Sequence, residues 1–465
     1  MKAIDAVDES HVSELPAVLH HLVEREFIQP RESSAFVGTI EYTFTGNMLR
    51  EMLLATLVNR QVAVYYGAAA RWLIASSGRR VDEYNVLIAQ YYEKAGEQEQ
   101  AADYWQRAGK RSLNISAYLE ARTNFEHVLS LLPADHSELP GLTIQLGTAN
   151  YYLADYPLAR QHLQAGLKIS RDRNDPQKTA QALYWLSQIA NETDGNYAEA
   201  KQYLEEGLQL VRSTQTESAL EARILYGLGD VGWRLGTIDQ AHDYCQQSID
   251  LAQNLGDTNT ELYALNRMGS LSWPHDPETA GTFFQRVYDK AITYGDRERA
   301  AHAINNLGYV AMKQGDFVKA KSFIEQAIGL TKEIGQQQHS SAGWMVDSLI
   351  DVSLKLGDTH TARSYVVSNL KFAHQIGLLP LLVNTVIQAG RILLQENPMN
   401  DRGLELFGLV LNHPACDLES RQVLHQALAD SNLSLDDPRV SAVMESGKLL
   451  DLDQTVEKLL VDFRT

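Results

Sequence analysis

Between about Leu142 and Asn369 the chain writes one helical phrase again and again, and that repetition limits the fold more than any other feature. Its clearest instance reads NNLGYVAMKQGDFVKAKSFIEQAIGL, Asn305 to Leu330. Leu307-Gly308 is expected in the middle of a first helix. Gly315-Asp316 breaks that helix, and Phe317 starts a second one on which Ala320, Ile324 and Ala327 share a face. The phrase returns around Leu146-Gly147 with Tyr156 and Ala159, and around Gly195 with Tyr197 and Ala200. It returns again around Leu228-Gly229 with Gly236 and Ala241, and around Gly357 with Ala362. A degraded copy lies around Met268-Gly269 and Ala280. The anchors Ala159, Ala200, Ala241, Ala280, Ala320 and Ala362 recur at about 40 residues, a period of stacked helical hairpins. A small residue such as Gly308 or Ala320 lets two helix backbones approach, and a large one such as Phe317 or Ile324 fills the groove between pairs. No single hairpin can bury its own apolar face, so each depends on its neighbours. The expected fold is an all-α solenoid.

The flanks follow other patterns. Leu15 to Phe27 reads as a helix with Leu15, Val18, Leu19, Leu22 and Val23 on one side, ended by Pro30. Ser34 to Phe44 alternates around Gly38 and reads as a β-hairpin. Asn47 is expected to cap a helix from Met48 through Leu57. Helix, hairpin, helix is the tail of a winged-helix fold, so residues 1–75 are expected to form a partial winged-helix-like domain. Residues 76–133 read as irregular helical pairs, with Ala101, Trp105 and Ala108 on one face and Tyr118, Ala121, Phe125 and Val128 on the next. Leu131 to Asp135, Asp172 to Pro176 and Trp273 to Pro277 read as loops. Residues 134–395 carry the repeats. Residues 396–465 read as capping helices: two joined at His413-Pro414, then a last one from Asp451 to Leu460 with Asp451 or Asp453 as cap.

The repeat pattern, L-G-x2-(Y/A) followed by G-x-(Y/F)-x2-A-x3-(F/L)-x2-A, resembles the tetratricopeptide repeat, with a period longer than that family's ~34 residues. The extra length falls at helix ends, as in Val211 to Leu220. The blocks Glu41–Gln61, Tyr65–Leu73 and Leu87–Ser112 follow, in order and content, the segment after the nucleotide-binding module of bacterial STAND/AAA-type signalling ATPases. Class III adenylyl cyclases and LuxR-type regulators with tetratricopeptide regions are among them. The resemblance implies a winged-helix and repeat region that regulates an ATPase. It also marks a departure: that family carries His where this chain has Gly46, and a glycine has no side chain to reach nucleotide phosphates.

Composition and motifs narrow the function. The net charge of −18 argues against a phosphate-binding surface, so no nucleic-acid partner is expected. MKAIDAVDESH, Met1 to His11, lacks the apolar core of a signal peptide. The longest apolar run, Ile376 to Ile387, is too short to span a bilayer and carries Pro380. A cytoplasmic setting without membrane contact is expected. Cys245 and Cys416 fall where Leu or Phe would serve and read as small buried hydrophobes. Ala108-Gly109-Lys110-Arg111-Ser112 and Ser446-Gly447-Lys448-Leu449 lack the earlier glycine and the Ser/Thr after Lys that a phosphate-binding loop needs. No H-E-x-x-H, C-x2-C or G-x-S-x-G occurs. His20-His21 point to different sides of a helix. His242-Asp243-Tyr244-Cys245 lies inside a repeat helix. No catalytic residue, metal site or cofactor is expected.

What remains is a surface. In tetratricopeptide arrays the first helix of each pair lines the concave face. That register turns inward Arg223, Tyr226, Asp230 and Trp233, then Tyr263, Asn266, Ser270 and Trp273. His302, Asn305, Tyr309 and Lys313 follow, then Trp344, Asp347 and Asp351. Aromatic rings supply contact area and amides and carboxylates fix orientation. Tyr226, Asp230, Trp233, Asn266, Trp273, Asn305, Tyr309 and Asp347 are the candidate ligand-binding residues, with Asn266 and Asn305 at one register position of consecutive hairpins. The expected partner is a protein, a peptide or a small-molecule effector. Two functions fit: a free-standing, non-enzymatic interaction and sensing module, or the regulatory arm of an ATPase, cyclase or transcriptional regulator whose catalytic or DNA-binding domains lie outside this chain.

Overall fold

The computed structural model describes residues 14–36, 38–56, 58–214, 218–273, 275–333 and 340–463. Met1–His11, Leu57 at the end of an expected helix and Pro274 in the Trp273–Pro277 loop lie outside the described residues. The chain divides into two compact units, Met1–Leu153 and Ala154–Thr465.

The first unit opens with α1 (Leu15–Glu24), β1 (Ile28–Pro30), β2 (Tyr42–Phe44), α2 (Asn47–Thr56) and α3 (Asn59–Ser77). Two expectations are corrected here. The helix stops at Glu24, well short of Pro30, because Glu26 takes a left-handed φ of 58° and the Phe27 amide closes back on the Leu22 carbonyl at 3.0 Å. The freed Ile28–Pro30 then pairs antiparallel with Tyr42–Phe44. The hairpin is therefore built from β1 and β2, and Gly38 lies in the loop between them, not in a tight turn. That loop is held from within: the Glu41 carboxylate accepts the Ala35 amide at 2.7 Å. It is also held from outside, where Phe36 meets Trp72 edge-on at 5.0 Å and Tyr84 at 5.4 Å. A 3₁₀ segment (Gly78–Tyr84) leads to α4 (Asn85–Ala95), α5 (Gln98–Asn114), α6 (Tyr118–Leu131) and α7 (Leu139–Tyr152). Ala101, Ala121 and Phe125 are buried at the centre of this unit.

The second unit is a stack of helical hairpins. It runs through α8 (Tyr156–Asp172), α9 (Pro176–Gln188), a π-helical turn (Ile189–Thr193), α10 (Tyr197–Ser213), α11 (Ala219–Leu235) and α12 (Ile238–Leu255). Then come α13 (Thr258–Ser272), α14 (Pro277–Tyr294), α15 (Arg297–Lys313), α16 (Phe317–Glu333), α17 (Ser340–Lys355) and α18 (Thr359–Ile376). It closes with α19 (Leu379–Glu396), α20 (Asp401–Leu411), α21 (Leu418–Asp430), α22 (Pro438–Gly447) and α23 (Leu452–Asp462). A glycine followed by a capping residue punctuates the stack. Gly315 and Gly357 end α15 and α17 with φ of 82° and 77°, a conformation that costs L side chains dearly. The next residue, Asp316 or Asp358, then accepts the amide of Lys319 or Thr361, each at 3.0 Å, and so starts the following helix.

The six anchor alanines are fully buried, and the reason is visible at the glycines opposite them. A Cβ added to Gly308 would stand 2.8 Å from Ile324 Cγ1 and 3.2 Å from the Ala320 carbonyl oxygen. Gly229 is covered in the same way by Cys245 Sγ, Gly269 by Phe284 and Gly390 by Phe407. Each glycine is the hole for a side chain one turn past the anchor position. Among the described residues the chain is thus all-α apart from one small sheet, and its repeats form a tetratricopeptide-like solenoid. No helix among the described residues is long and apolar enough to cross a membrane.

Candidate functional site

The first helices of successive hairpins in the second unit, α11, α13, α15, α17 and α19, each touch the next. The candidate residues fall on these helices. Tyr226, Asp230 and Trp233 lie on α11, Asn266 on α13 with Trp273 at its end, Asn305 and Tyr309 on α15, and Asp347 on α17. The aromatic rings bridge neighbouring helices. Tyr226 stacks on Tyr263 at 5.3 Å, and Trp273 meets Tyr309 edge-on at 6.2 Å. Between them Asn306 donates its amide to Asn266 Oδ1 at 2.9 Å. The neighbour that Asn266 bonds is Asn306, the residue after Asn305, which the sequence placed at the register position of Asn266. Asn305 is turned into the protein, 8% exposed, and its side-chain oxygen accepts no hydrogen bond among the described residues.

Two buried polar clusters flank this amide pair. In the first, Asp230 is 5% exposed and accepts the Asn191 amide at 2.6 Å. It forms ion pairs with Arg267 from α13 and with Arg234 one turn along α11. Burial pushes the Asp230 carboxyl up; the two guanidiniums and the Asn191 bond outweigh it and hold the group below its usual value. Trp233 carries both cations on its ring, with Arg267 Cζ 4.1 Å and Arg234 Cζ 5.4 Å from its centroid. Arg234 also reaches Asp417 at 3.0 Å. Asp417 is buried and caps α21 by accepting the Ser420 amide at 2.8 Å. Beside it the Tyr197 hydroxyl donates to the Ala415 carbonyl at 3.2 Å, and Ala415 lies flat on Gly195, where a Cβ would stand 2.3 Å from it. The segment between α20 and α21 thus returns to the first hairpins of the unit and seats against Asp230's cluster.

In the second cluster Asp347, 3% exposed, accepts Asn384 Nδ2 at 2.7 Å and Gln388 Nε2 at 3.2 Å on Oδ2. Its Oδ1 accepts nothing among the described residues. Asp351 is paired with Arg391, and Arg391 also donates to Gln388 Oε1 at 2.6 Å. Burial and then the Asp351 charge push the Asp347 carboxyl well above its ordinary range. Burial raises the Tyr309 hydroxyl as well, with Asp351, Asp347 and Glu419 adding to the effect. Glu419, at the start of α21, is an exposed residue. Desolvation by the protein around it and the nearby Asp417 charge push its carboxyl up to about 7, against Arg234 and Arg267.

The structure brings Asp230 and Trp233 together in one cluster, and Trp273 together with Tyr309, which shares its surroundings with Asp347. Asn266 lies between them. Sequence reasoning missed Arg267, Asn306, Gln388, Arg391, Asp417 and Glu419. The first two sit one residue past the assumed inner position, so a register two residues wide would have found them. Gln388 and Arg391 lie on α19, beyond the last helix assigned to the inner face. Nothing in the repeat pattern signals Asp417 or Glu419. The thiol in the His242–Cys245 stretch packs against Gly229, and burial pushes it up to about 12, the mark of an inert structural cysteine. Among the described residues no group of three His, Cys, Asp or Glu could hold a metal ion.

Residues 178–254 and 301–333 match the tetratricopeptide repeat. Among solved structures, a Rap protein complexed with Competence and Sporulation Factor is similar with a TM-score of 0.59 at 14% identity, over 78% of this chain and 99% of that one. The Signal Transduction ATPase with Numerous Domains (STAND) protein PH0952 of Pyrococcus horikoshii, which has a tetratricopeptide repeat sensor, is similar with a TM-score of 0.52 at 14% identity. That likeness covers 96% of this chain and 62% of the other. At such identities the likeness is one of fold. No curated protein matches the chain in sequence.

Proposed function

We propose that this chain is a non-enzymatic binding and sensing module that holds a peptide or an extended protein segment along the inner face of its second unit. One observation supports the reading: α11, α13, α15 and α17 each touch the next, and rings and amides meet across them, Tyr226 on Tyr263, Asn306 on Asn266 and Trp273 on Tyr309. Tyr226, Asp230, Trp233, Asn266, Trp273, Asn305, Tyr309 and Asp347 are the contact residues of this reading. Rings cover side chains of the ligand while amides bond its backbone. The crystal structure of a Rap protein with Competence and Sporulation Factor supports it as an instance of this fold holding a partner. The test is equilibrium binding of the purified full chain to an array of short synthetic peptides. Saturable binding to a subset is expected, and Asn266→Ala with Asn305→Ala weakens it about tenfold or more, the loss of roughly 1.4 kcal/mol. If that double variant unfolds and shows no binding defect separable from stability, the two residues are structural and the inner-face assignment falls.

The module also reads as the regulatory arm of a signalling ATPase. The order of the blocks Glu41–Gln61, Tyr65–Leu73 and Leu87–Ser112 supports this, together with the fold shared with PH0952. The chain alone is then expected to hydrolyse no ATP; hydrolysis above the buffer rate contradicts both readings.

A further inference from the structure

We propose that the second unit is a ring of helices held shut by a clasp, the link of residues 412–417 between α20 and α21, and that closure of the clasp competes with ligand binding on the inner face. The inference rests on the inner face being the binding face and names how access to it is regulated.

In a solenoid each repeat contacts only its neighbours. Here the first helices of the hairpins go further. Helix α9 touches α11, and the succession runs through α13, α15 and α17 to α19, which touches the π-helical turn at the end of α9. The series thus closes on itself, and α21 also meets α11. Three contacts seal the seam. Ala415 fits on Gly195, whose φ of 63° and missing Cβ admit it: a Cβ there would stand 2.6 Å from Ala415 Cα. The Tyr197 hydroxyl donates to the Ala415 carbonyl at 3.2 Å. Arg234 donates to Asp417 at 3.0 Å. Ala415 and Asp417 are both buried.

The closed ring leaves the candidate contact residues little access. Asp230, Asn305 and Asp347 are buried and the others half-buried. Asn305 Oδ1 and Asp347 Oδ1 are closed off and accept nothing among the described residues, a cost to the closed form that opening returns. Opening breaks no hairpin. Tyr197 and Ala415 are 218 residues apart and Arg234 and Asp417 183, so the seam can part while every neighbour contact in the stack survives. The clasp is also joined to the face it closes. Arg234 is shared, lying 3.6 Å from Asp230 as well as reaching Asp417. Asn191, in the π-helical turn that α19 touches, donates to the same Asp230 at 2.6 Å. A ligand seated on Asp230 displaces the side chain that holds Asp417. By linkage, the factor by which opening tightens binding is the factor by which binding favours opening.

The test uses the full chain with spin labels on Ala198→Cys and Asn412→Cys, exposed positions beside the two sides of the seam; Cys245 and Cys416 are buried. One short distance is expected in the closed ring. Asp417→Ser keeps the α21 cap and removes the charge that Arg234 holds, and Ala415→Leu drives the link off Gly195. Each should add a longer distance and bind the peptides of the synthetic array about tenfold more tightly, within the range usual for coupled sites. Saturating the labelled chain that carries neither variant with the tightest array peptide should lengthen the distance too. The clasp is overturned if the peptide binds and the distance stays or shortens. It is also overturned if a variant shows the longer distance and binds the peptides no more tightly. If one variant does not fold the other decides, and the peptide experiment decides without either. In all these outcomes peptides bind and the inner-face reading stands; an array that binds to none of these chains removes that reading, and the competition with it.

Discussion

Gly308 shows how a single residue type serves the whole stack. Its missing Cβ is the space that Ile324 occupies, so Gly308→Val is expected to destabilise the fold by about 1–3 kcal/mol through overpacking. Gly329, also helical, has open space around it, and Gly329→Ala should stabilise by roughly 0.5–1 kcal/mol. Urea denaturation of the two variants measures both, with opposite signs expected. The anchor alanines and these glycines were legible in the sequence because a fixed period makes every copy confirm the others. The partner of Asn266 was not, because a register position says which residues neighbour each other and not which side chains bond: Asn306, not Asn305, donates to it. Charge at this scale has its own prediction. Glu419, raised to about 7, and Asp347, raised well above its ordinary value, hold their protons longer in the fold than in the open chain. The contribution of these two groups to folding stability is therefore full below about pH 4, where both are protonated in the open chain as well, and falls as pH rises toward 7 and beyond. Thermal melts of the unaltered chain against Glu419→Gln read this: the variant should lose part of the decline between pH 5 and 8. A decline unchanged in the variant assigns it elsewhere.

The elements differ in how far local pattern reaches. The break between α15 and α16 was readable, since Gly315, Asp316 and Phe317 mark it with backbone and capping chemistry. Strand β2 was readable as well, but β1, which follows directly on the expected helix, was not, because nothing before Glu26 announces the left-handed residue that turns the chain into it. Least legible is the return of the segment before α21. Asp417 and Arg234 lie 183 residues apart, and no periodicity links them. Their ion pair is buried, so Arg234→Ala strands the Asp417 carboxylate, while Asp230 keeps Arg267, and is expected to cost about 3–5 kcal/mol. Asp417→Ser keeps the α21 cap and removes the charge. A double-mutant cycle should give a coupling of about 1 kcal/mol or more; additive effects mean that the return is held by Tyr197 and the Ala415–Gly195 contact alone.

For the whole molecule, the account holds that a stack of hairpins creates a face no single hairpin possesses. The fold class was legible, because six buried alanines at one spacing leave few architectures open. The set of inner-face groups was legible only in part, because half of the polar partners come from α19 and α21, outside the repeat register. Hydrogen exchange of the full chain, with and without a saturating array-selected peptide, tests the central claim most directly. The account predicts slowed exchange in α11, α13, α15 and α17, with α14 and α16, whose Gln285 and Phe323 line a separate groove, unchanged. Protection confined to α14 and α16 contradicts it.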